Sequence, residues 1–204
     1  QDISDWIIQS EVPGSGPGIT STYIVQRHQG TEIFNAQNNV WVKNGAVLNM
    51  ENIFVSNLAS KVNATTPILT ALQAISKAYN AVRVTKNPTF TITETKDAKN
   101  LILSDGLQED AISAKLVYQK TASNQLKLAW ELQFYAPNGN AWDVRVDALN
   151  GSIIEKNNLT ISCSFDKKHK DDHDVKSTFD FEKMVAKTSN SFLPPGTPGS
   201  YRVI

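Results

Sequence analysis

Apolar and polar residues alternate with a period of two along much of the chain, a pattern that predicts half-buried β-strands. The alternation is most regular from Leu126 to Phe134 and from Trp142 to Val146. Turn signals separate the runs, and Asn44-Gly45 is the strongest because a type I′ hairpin needs positive φ at both central residues. Strands are predicted at residues 22–28, 31–42, 47–55, 87–95, 114–119, 126–135, 142–146 and 153–154, with 99–105 a short strand or a loop.

Between the strand blocks the period changes to that of a helix. Thr66 is predicted to cap the N-terminus of this helix, and Pro67 suits its first turn. Its apolar stripe comprises Ile68, Leu72, Ile75 and Tyr79, at spacings of i, i+4, i+7 and i+11. The combination predicts an α+β fold in which antiparallel sheets pack on amphipathic helices.

The alternating pattern stops near residue 162. The segment "DKKHKDDHD" is a run of charges, and "SFLPPGTPGSYRVI" is rich in proline, glycine and serine. Proline fixes φ and withholds a hydrogen-bond donor, so the sequence predicts an extended tail here.

The charge balance and the distribution of apolar residues argue against nucleic acid and membranes as partners. The chain has 20 basic and 20 acidic side chains, so no net field would attract it to nucleic acid or to an anionic membrane. No apolar run approaches the roughly 20 residues that span a bilayer. The start of the chain, Gln1 to Asp5, lacks the basic and apolar regions of a signal peptide, and a leader removed earlier is left open.

Few catalytic constellations can be built from three histidines and one cysteine. The sequence contains no HExxH zinc motif, P-loop, GxSxG elbow or GxGxxG turn. His28 lies in a polar run on a predicted strand, and we interpret it as a surface histidine because no orienting carboxylate is evident nearby. Glu32 and Asn35 are interpreted as hairpin surface in the same way.

Two polar clusters remain. The first could ligate zinc through Cys163, His169 and His173. Its charged surroundings provide neither apolar packing nor groups that would orient the imidazoles, so we predict no metal site there. Asp143, Arg145 and Asp147 alternate with apolar residues and predict a solvated strand face, or equally the rim of a partner-binding surface.

The stretch "TYIVQRHQGTEIFNAQNNVWVKNGAVL" resembles the fungalysin/thermolysin propeptide (FTP) motif. The matching positions are Gln29, Gly30, Ile33, Phe34, Asn35, Ala36, Asn44 and Gly45. Where that family has G-I-P-V, this chain has Gly30-Thr31-Glu32-Ile33, a looser fit at the turn.

The later stretch "LAWELQFYAPNGNAWDVRVDALNGSIIEKNN" resembles a PepSY-type module. The residues that carry this likeness are Trp130, Trp142, Val144, Val146, Asp147, Ala148, Gly151 and Ile153. The two motifs stand in the order found in propeptides of fungalysin-type secreted zinc metalloproteases, and the likeness covers residues 4–158. It implies cystatin-like modules at 1–62 (FTP) and 63–160 (PepSY-like), with 161–204 a linker towards a catalytic domain absent from this chain.

The resemblance also implies a function. Such a propeptide is non-catalytic: it assists folding of its protease and inhibits it until proteolytic removal. Its partner is the catalytic domain, which holds the zinc and the glutamate base, so no cofactor is expected in this chain. The implied location is secreted and bacterial. The alternatives are a free-standing secreted module that binds a protease or peptide, and a small metalloenzyme that uses Cys163, His169 and His173.

Overall fold

A computed structural model describes residues 4–14, 16–51 and 53–160, and over these the fold is mostly β-sheet. Its elements are β1 (Trp6–Pro13), β2 (Ile19–His28), β3 (Thr31–Lys43), β4 (Ala46–Met50), α1 (Leu58–Lys61), α2 (Ala71–Ala81), β5 (Thr91–Asp97), β6 (Asn100–Ser104), β7 (Ile112–Lys120), β8 (Leu126–Tyr135), β9 (Ala141–Asp147) and β10 (Ile153–Asn158). Strands account for 52% of the described residues, and the two helices are short. The predicted α+β class therefore holds only loosely. Neither helix in these ranges is long and apolar enough to cross a membrane.

The strands form one mixed sheet rather than purely antiparallel sheets. The order is β1-β2-β3-β7-β8-β9-β10, with β4 beside β3 and the β5–β6 hairpin beside β7. Every pair of neighbouring strands is antiparallel except β3 and β7, which run parallel and meet through Glu32 with Val117 and Ile33 with Tyr118. This short junction joins the N-terminal strands to the rest of the sheet.

The local turn signals place the hairpins correctly. The β3–β4 hairpin closes at Asn44-Gly45, with Lys43 opposite Ala46 as that signal predicts. The strand predicted at 47–55 is shorter, because β4 ends at Met50. The tail predicted from residue 161 onward lies outside the described residues.

Helix α2 begins later than the sequence suggests. Thr70 caps it: its hydroxyl accepts a hydrogen bond from Gln73 N at 3.3 Å, and the Gln73 side chain accepts one from Thr70 N at 2.9 Å. Thr66 has leucine three residues on and cannot complete this capping box, so the predicted cap at Thr66 is wrong. Ile68 consequently precedes the helix and is 74% exposed instead of belonging to its apolar stripe.

One buried cluster connects the helix to the sheet. It draws Ile33 and Ala36 from β3, Ile75 and Tyr79 from α2, and many residues of β7, β8 and β9. Side chains from both predicted modules therefore enclose the same core. The module boundary at residue 62 stays a prediction.

Candidate interaction surface

The Gln29-Gly30 pair of the first motif forms the turn between β2 and β3. Both residues have positive φ, 49° and 71°, as a type I′ turn requires. The carboxylate of Asp5 anchors the turn by accepting hydrogen bonds from Gly30 N at 2.8 Å and from Arg27 Nε at 2.9 Å. Lys99 Nζ donates to the Gln29 carbonyl at 2.8 Å. This motif pair therefore shapes and holds a hairpin.

The next four motif residues, Ile33 to Ala36, lie in a bulge in β3. The register with β2 shifts between Val25 and Arg27, and Asn35 adopts a left-handed backbone with φ 58°. Ile33 and Ala36 point into the core, each 1% exposed, whereas Asn35 is exposed as predicted. A bulge of this kind bends its strand and redirects the flanking side chains.

The aromatic residues of the second motif support the sheet. Trp130 is buried, and its Nε1 donates a hydrogen bond to the carbonyl of Leu69 at 2.8 Å, which ties β8 to the segment before α2. Val144 is fully buried. Trp142 is half-buried, with Lys156 Nζ 5.9 Å from the centre of its ring.

Two further residues of the second motif, Asp147 and Gly151, shape the β9–β10 connection. Asp147 accepts hydrogen bonds at Oδ1 from Leu149 N at 2.9 Å and Asn150 N at 3.3 Å, an Asx turn that reverses the chain. Gly151 has φ 78°, and a Cβ atom there would lie 3.0 Å from Leu69 Cδ2. The positive φ therefore favours glycine, and any other residue would also require the Leu69 side chain to shift by a few tenths of an ångström.

The predicted solvated face of β9 is wrong. Asp143, Arg145 and Asp147 are only 7%, 1% and 1% exposed. The bulge in β3 is one cause, because it places the Phe34 ring 3.9 Å from the Arg145 guanidinium carbon and so covers the charge. Sequence alternation alone could not reveal this cover, since Phe34 comes from a distant strand.

A row of alternating charges crosses this face of the sheet. Lys115 of β7 lies opposite Glu131 of β8, Glu131 lies opposite Arg145 of β9, and Arg145 lies opposite Glu155 of β10. We call these four residues the charge ladder. At its β7 end, Lys115 Nζ also bonds Glu32 of β3 at 2.5 Å. Lys115 and Glu131 occupy polar positions of alternating runs in the sequence, but only the strand register shows that they are neighbours.

Arg145 is the most enclosed member of the charge ladder. Its NH1 lies 2.7 Å from Asp143 Oδ2 and its NH2 lies 2.8 Å from Glu155 Oε2. Burial opposes the charged form, but the hydrogen bonds and charges of Glu155 and Asp143 outweigh it and raise the pKa of Arg145. The guanidinium is therefore held permanently charged between two carboxylates.

Glu131 is less well compensated. It makes none of the ion pairs found among the described residues, and its Oε1 accepts a long hydrogen bond from Gln133 Nε2 at 3.5 Å. Desolvation, followed by repulsion from Asp143, raises its pKa despite the nearby cations Arg145 and Lys115. Ionisation of Glu131 therefore destabilises the folded state.

Replacing Glu131 by glutamine should stabilise the fold at neutral pH. A carboxyl whose folded pKa is raised destabilises above that pKa, and this cost disappears as the pH falls below its unfolded value. We therefore expect Glu131→Gln to raise the urea midpoint at about pH 7 and to lose this advantage near pH 4. Glu94→Gln, on exposed β5, is the control and should change neither. A lower midpoint for Glu131→Gln at neutral pH would contradict the assignment.

A groove runs beside the bulge, and one wall of it is an open strand edge. The edge of β3 that faces away from β2 pairs with β7 at Glu32 and Ile33 and with β4 from Val40 to Lys43. Between these points and on this edge, no strand of the described part of the chain pairs with residues from Phe34 to Gln37, although Gln37 pairs with Val25 of β2 on the other edge. The cavity on the charged face has a volume of about 580 Å³, and we call it the β3 groove. Its polar lining includes Tyr23, Glu32, Asn39, Glu51, Lys115 and Glu131.

The other candidate residues are dispersed. His28 packs edge-on against Tyr118, with ring centroids 6.0 Å apart, and Glu32 is held by Lys115. Within residues 4–160, apart from 15 and 52, no group of three or more potential metal ligands comes together. Cys163, His169 and His173 lie outside the described residues.

Comparison with known proteins yields little. No family model matches the sequence. Among solved structures, the Bacillus megaterium YpeB C-terminal domain is a weak neighbour, with a TM-score of 0.38 and 11% sequence identity. The match covers 78% of this chain and 58% of that one.

Proposed function

We propose that this chain is the propeptide of a secreted zinc metalloprotease of the fungalysin/thermolysin type. It would assist folding of the catalytic domain and inhibit it until proteolytic removal. The observation that supports this proposal best is the position of the residues that carry the two motifs. Ile33, Asn35 and Ala36 line a groove with an open strand edge, and the other motif residues build the turns and core packing of the sheet that carries it, as a binding scaffold requires.

The open edge of β3 offers a physical basis for inhibition. Unpaired backbone groups on a strand edge can hydrogen-bond an extended segment of a partner protein. Covalent tethering gives the two domains an effective concentration of about a millimolar, so even weak contacts suppress activity before cleavage. Cleavage then releases inhibition by dilution.

The remaining assignments follow from this role. The chain itself is non-catalytic and needs no cofactor, while the zinc belongs to the catalytic domain. Its partner is that domain rather than nucleic acid or a membrane, in agreement with the balanced charge. The location is extracellular, in a bacterium, after removal of a signal peptide.

A free-standing secreted module that binds a protease or a peptide is the second candidate. The same β3 groove favours it, because an open strand edge serves equally well in a separate protein. The reading frame beyond the codon for Ile204 distinguishes the two. A frame that continues into an HExxH-bearing domain supports the propeptide, and an immediate stop codon supports the free-standing module.

Inhibition in trans tests the function directly. The purified chain, added to the isolated catalytic domain encoded downstream, should inhibit peptide hydrolysis at micromolar concentration, because loss of the tether removes the millimolar effective concentration but not the contacts. It should also increase the yield of active enzyme recovered from denaturant. A heat-denatured sample of the chain is the control. Unchanged activity throughout the micromolar range would count against inhibition.

A further inference from the structure

We propose that the β3 groove binds an extended peptide segment that carries an arginine or lysine side chain. This inference deepens the proposed function, in which the segment would belong to the catalytic domain. Three features of the groove itself favour such a guest: its backbone, its charges and its acceptor atoms.

The backbone supplies the first part of the site. The open edge of β3 lies between the β7 junction at Ile33 and the β4 pairing that begins at Val40. Because of the bulge, β3 advances from Glu32 to Val40 along only five residue steps of β2, from Arg27 to Thr22, which is about 17 Å, so the opening accommodates a short strand of a few residues. The left-handed conformation of Asn35 interrupts the regular pleat, which limits a guest to a few main-chain hydrogen bonds and leaves its side chains to determine affinity.

Charge supplies the second part. The lining contains three carboxylates, Glu32, Glu51 and Glu131, and one cation, Lys115. Lys115 Nζ already forms an ion pair with Glu32 Oε2 at 2.5 Å. Glu51 and Glu131, in contrast, make no ion pair within the described residues. The groove therefore presents an excess of negative charge that complements a basic side chain and repels an acidic one.

An unused acceptor supplies the third part. Asn39 lines the groove, and its buried Oδ1 atom accepts no hydrogen bond from the described residues. Buried polar atoms are normally paired. Because this atom is closed to solvent in the free chain, the Asn39 side chain has to turn towards the groove before a donor of a guest can reach it. A guanidinium has five N–H donors and no acceptor, which matches a lining of carboxylates and an amide oxygen.

The partial burial of Glu131 adds a pH dependence. Four charged groups face it: Glu32 from β3, Lys115 from β7, and Asp143 and Arg145 from β9. A bound cation favours the ionised carboxylate, so binding should release a proton wherever Glu131 is still partly protonated. Affinity is then expected to rise as the pH increases through the pKa of Glu131.

Two matched peptides test the proposal. One is the capped hexapeptide Ser-Val-Arg-Val-Thr-Ser, and the other has citrulline in place of arginine, which preserves size and most donors but removes the charge. Binding is followed by NMR titration of the backbone and side-chain amides of the full chain. We expect the arginine peptide to bind at least about tenfold more tightly, with shifts concentrated from Phe34 to Asn39.

Variants locate the preference. The double variant Glu51→Gln with Glu131→Gln should bind both peptides equally, while Glu94→Gln on exposed β5 should keep the full preference. Urea unfolding of each variant verifies that it is folded. Equal binding of the two peptides by the unmodified chain, no binding of either at millimolar concentration, or an unchanged preference in the double variant would each overturn the proposal.

The outcomes also separate this inference from the proposed function. Arginine-selective binding without inhibition of the downstream protease would keep the groove's specificity and remove the propeptide role. Inhibition that persists in the Glu51→Gln, Glu131→Gln variant, together with equal peptide binding by the unmodified chain, would keep the propeptide role and overturn the groove's specificity.

Discussion

Replacing Arg145 by methionine is expected to lower the free energy of unfolding by about 3–5 kcal/mol, because removing one partner of a buried ion pair leaves the other charge uncompensated. The stranded group is Asp143, which is 7% exposed and lies 2.7 Å from the guanidinium. Glu155 loses less, since its side chain is 45% exposed and can turn to water. The Phe34 ring also loses the cation that it covers.

A second substitution separates charge from packing. Methionine preserves much of the aliphatic volume of arginine, so most of the loss should come from the unpaired carboxylate. Adding Asp143→Leu to Arg145→Met should therefore restore a large part of the stability, as replacement of whole buried ion pairs by apolar residues often does. Lys96→Met, on exposed β5, is the matched control. If Arg145→Met shifts the urea midpoint no more than the control does, the buried pair contributes little.

Truncation of Ile75 in α2 should cost about 2–5 kcal/mol, the usual loss when a fully buried isoleucine becomes alanine. Truncation of Ile33 in β3 should cost a similar amount, because both side chains belong to one buried cluster. The more informative expectation concerns cooperativity. Each variant should unfold in one transition at a lower urea concentration, with tryptophan fluorescence and far-ultraviolet circular dichroism coinciding.

This pair of variants also tests the predicted boundary at residue 62. If residues 1–62 and 63–160 folded as independent modules, Ile33→Ala would shift only an early transition and leave a later one unchanged. Ile68→Ala is the control, since that side chain is 74% exposed and its removal should change stability by less than about 0.5 kcal/mol. Separate transitions for the two probes would indicate independent modules.

Local signals in the sequence predicted the hairpins well and the helix in part. Asn44-Gly45 specified its turn because the required backbone conformation depends on those two residues alone. The helix was correctly assigned, but Thr66 and Thr70 are both plausible caps by residue type. Gln73 decides between them, since it completes the capping box with Thr70.

Long-range contacts were beyond the sequence patterns. The alternating pattern assigned Arg145 to a polar strand face, which is normally solvated. Arg145 is instead covered by Phe34, and the position of Phe34 depends on how β3 meets β7. The β3 groove lies beside the same junction and is lined by residues of several strands. The sequence pattern of any single strand therefore could not predict it. The motif residues were easier to interpret, because turns such as Gln29-Gly30 are defined by neighbouring residues.

The parallel junction between β3 and β7 has a kinetic consequence. Glu32 and Lys115, which bond across it, are 83 positions apart in the chain. The β2–β3 and β3–β4 hairpins form by closing short loops. Docking them onto β7 closes a far longer loop and therefore loses more conformational entropy. We therefore expect the N-terminal hairpins to form early and to dock late, so that the slowest folding step is the one that assembles the groove.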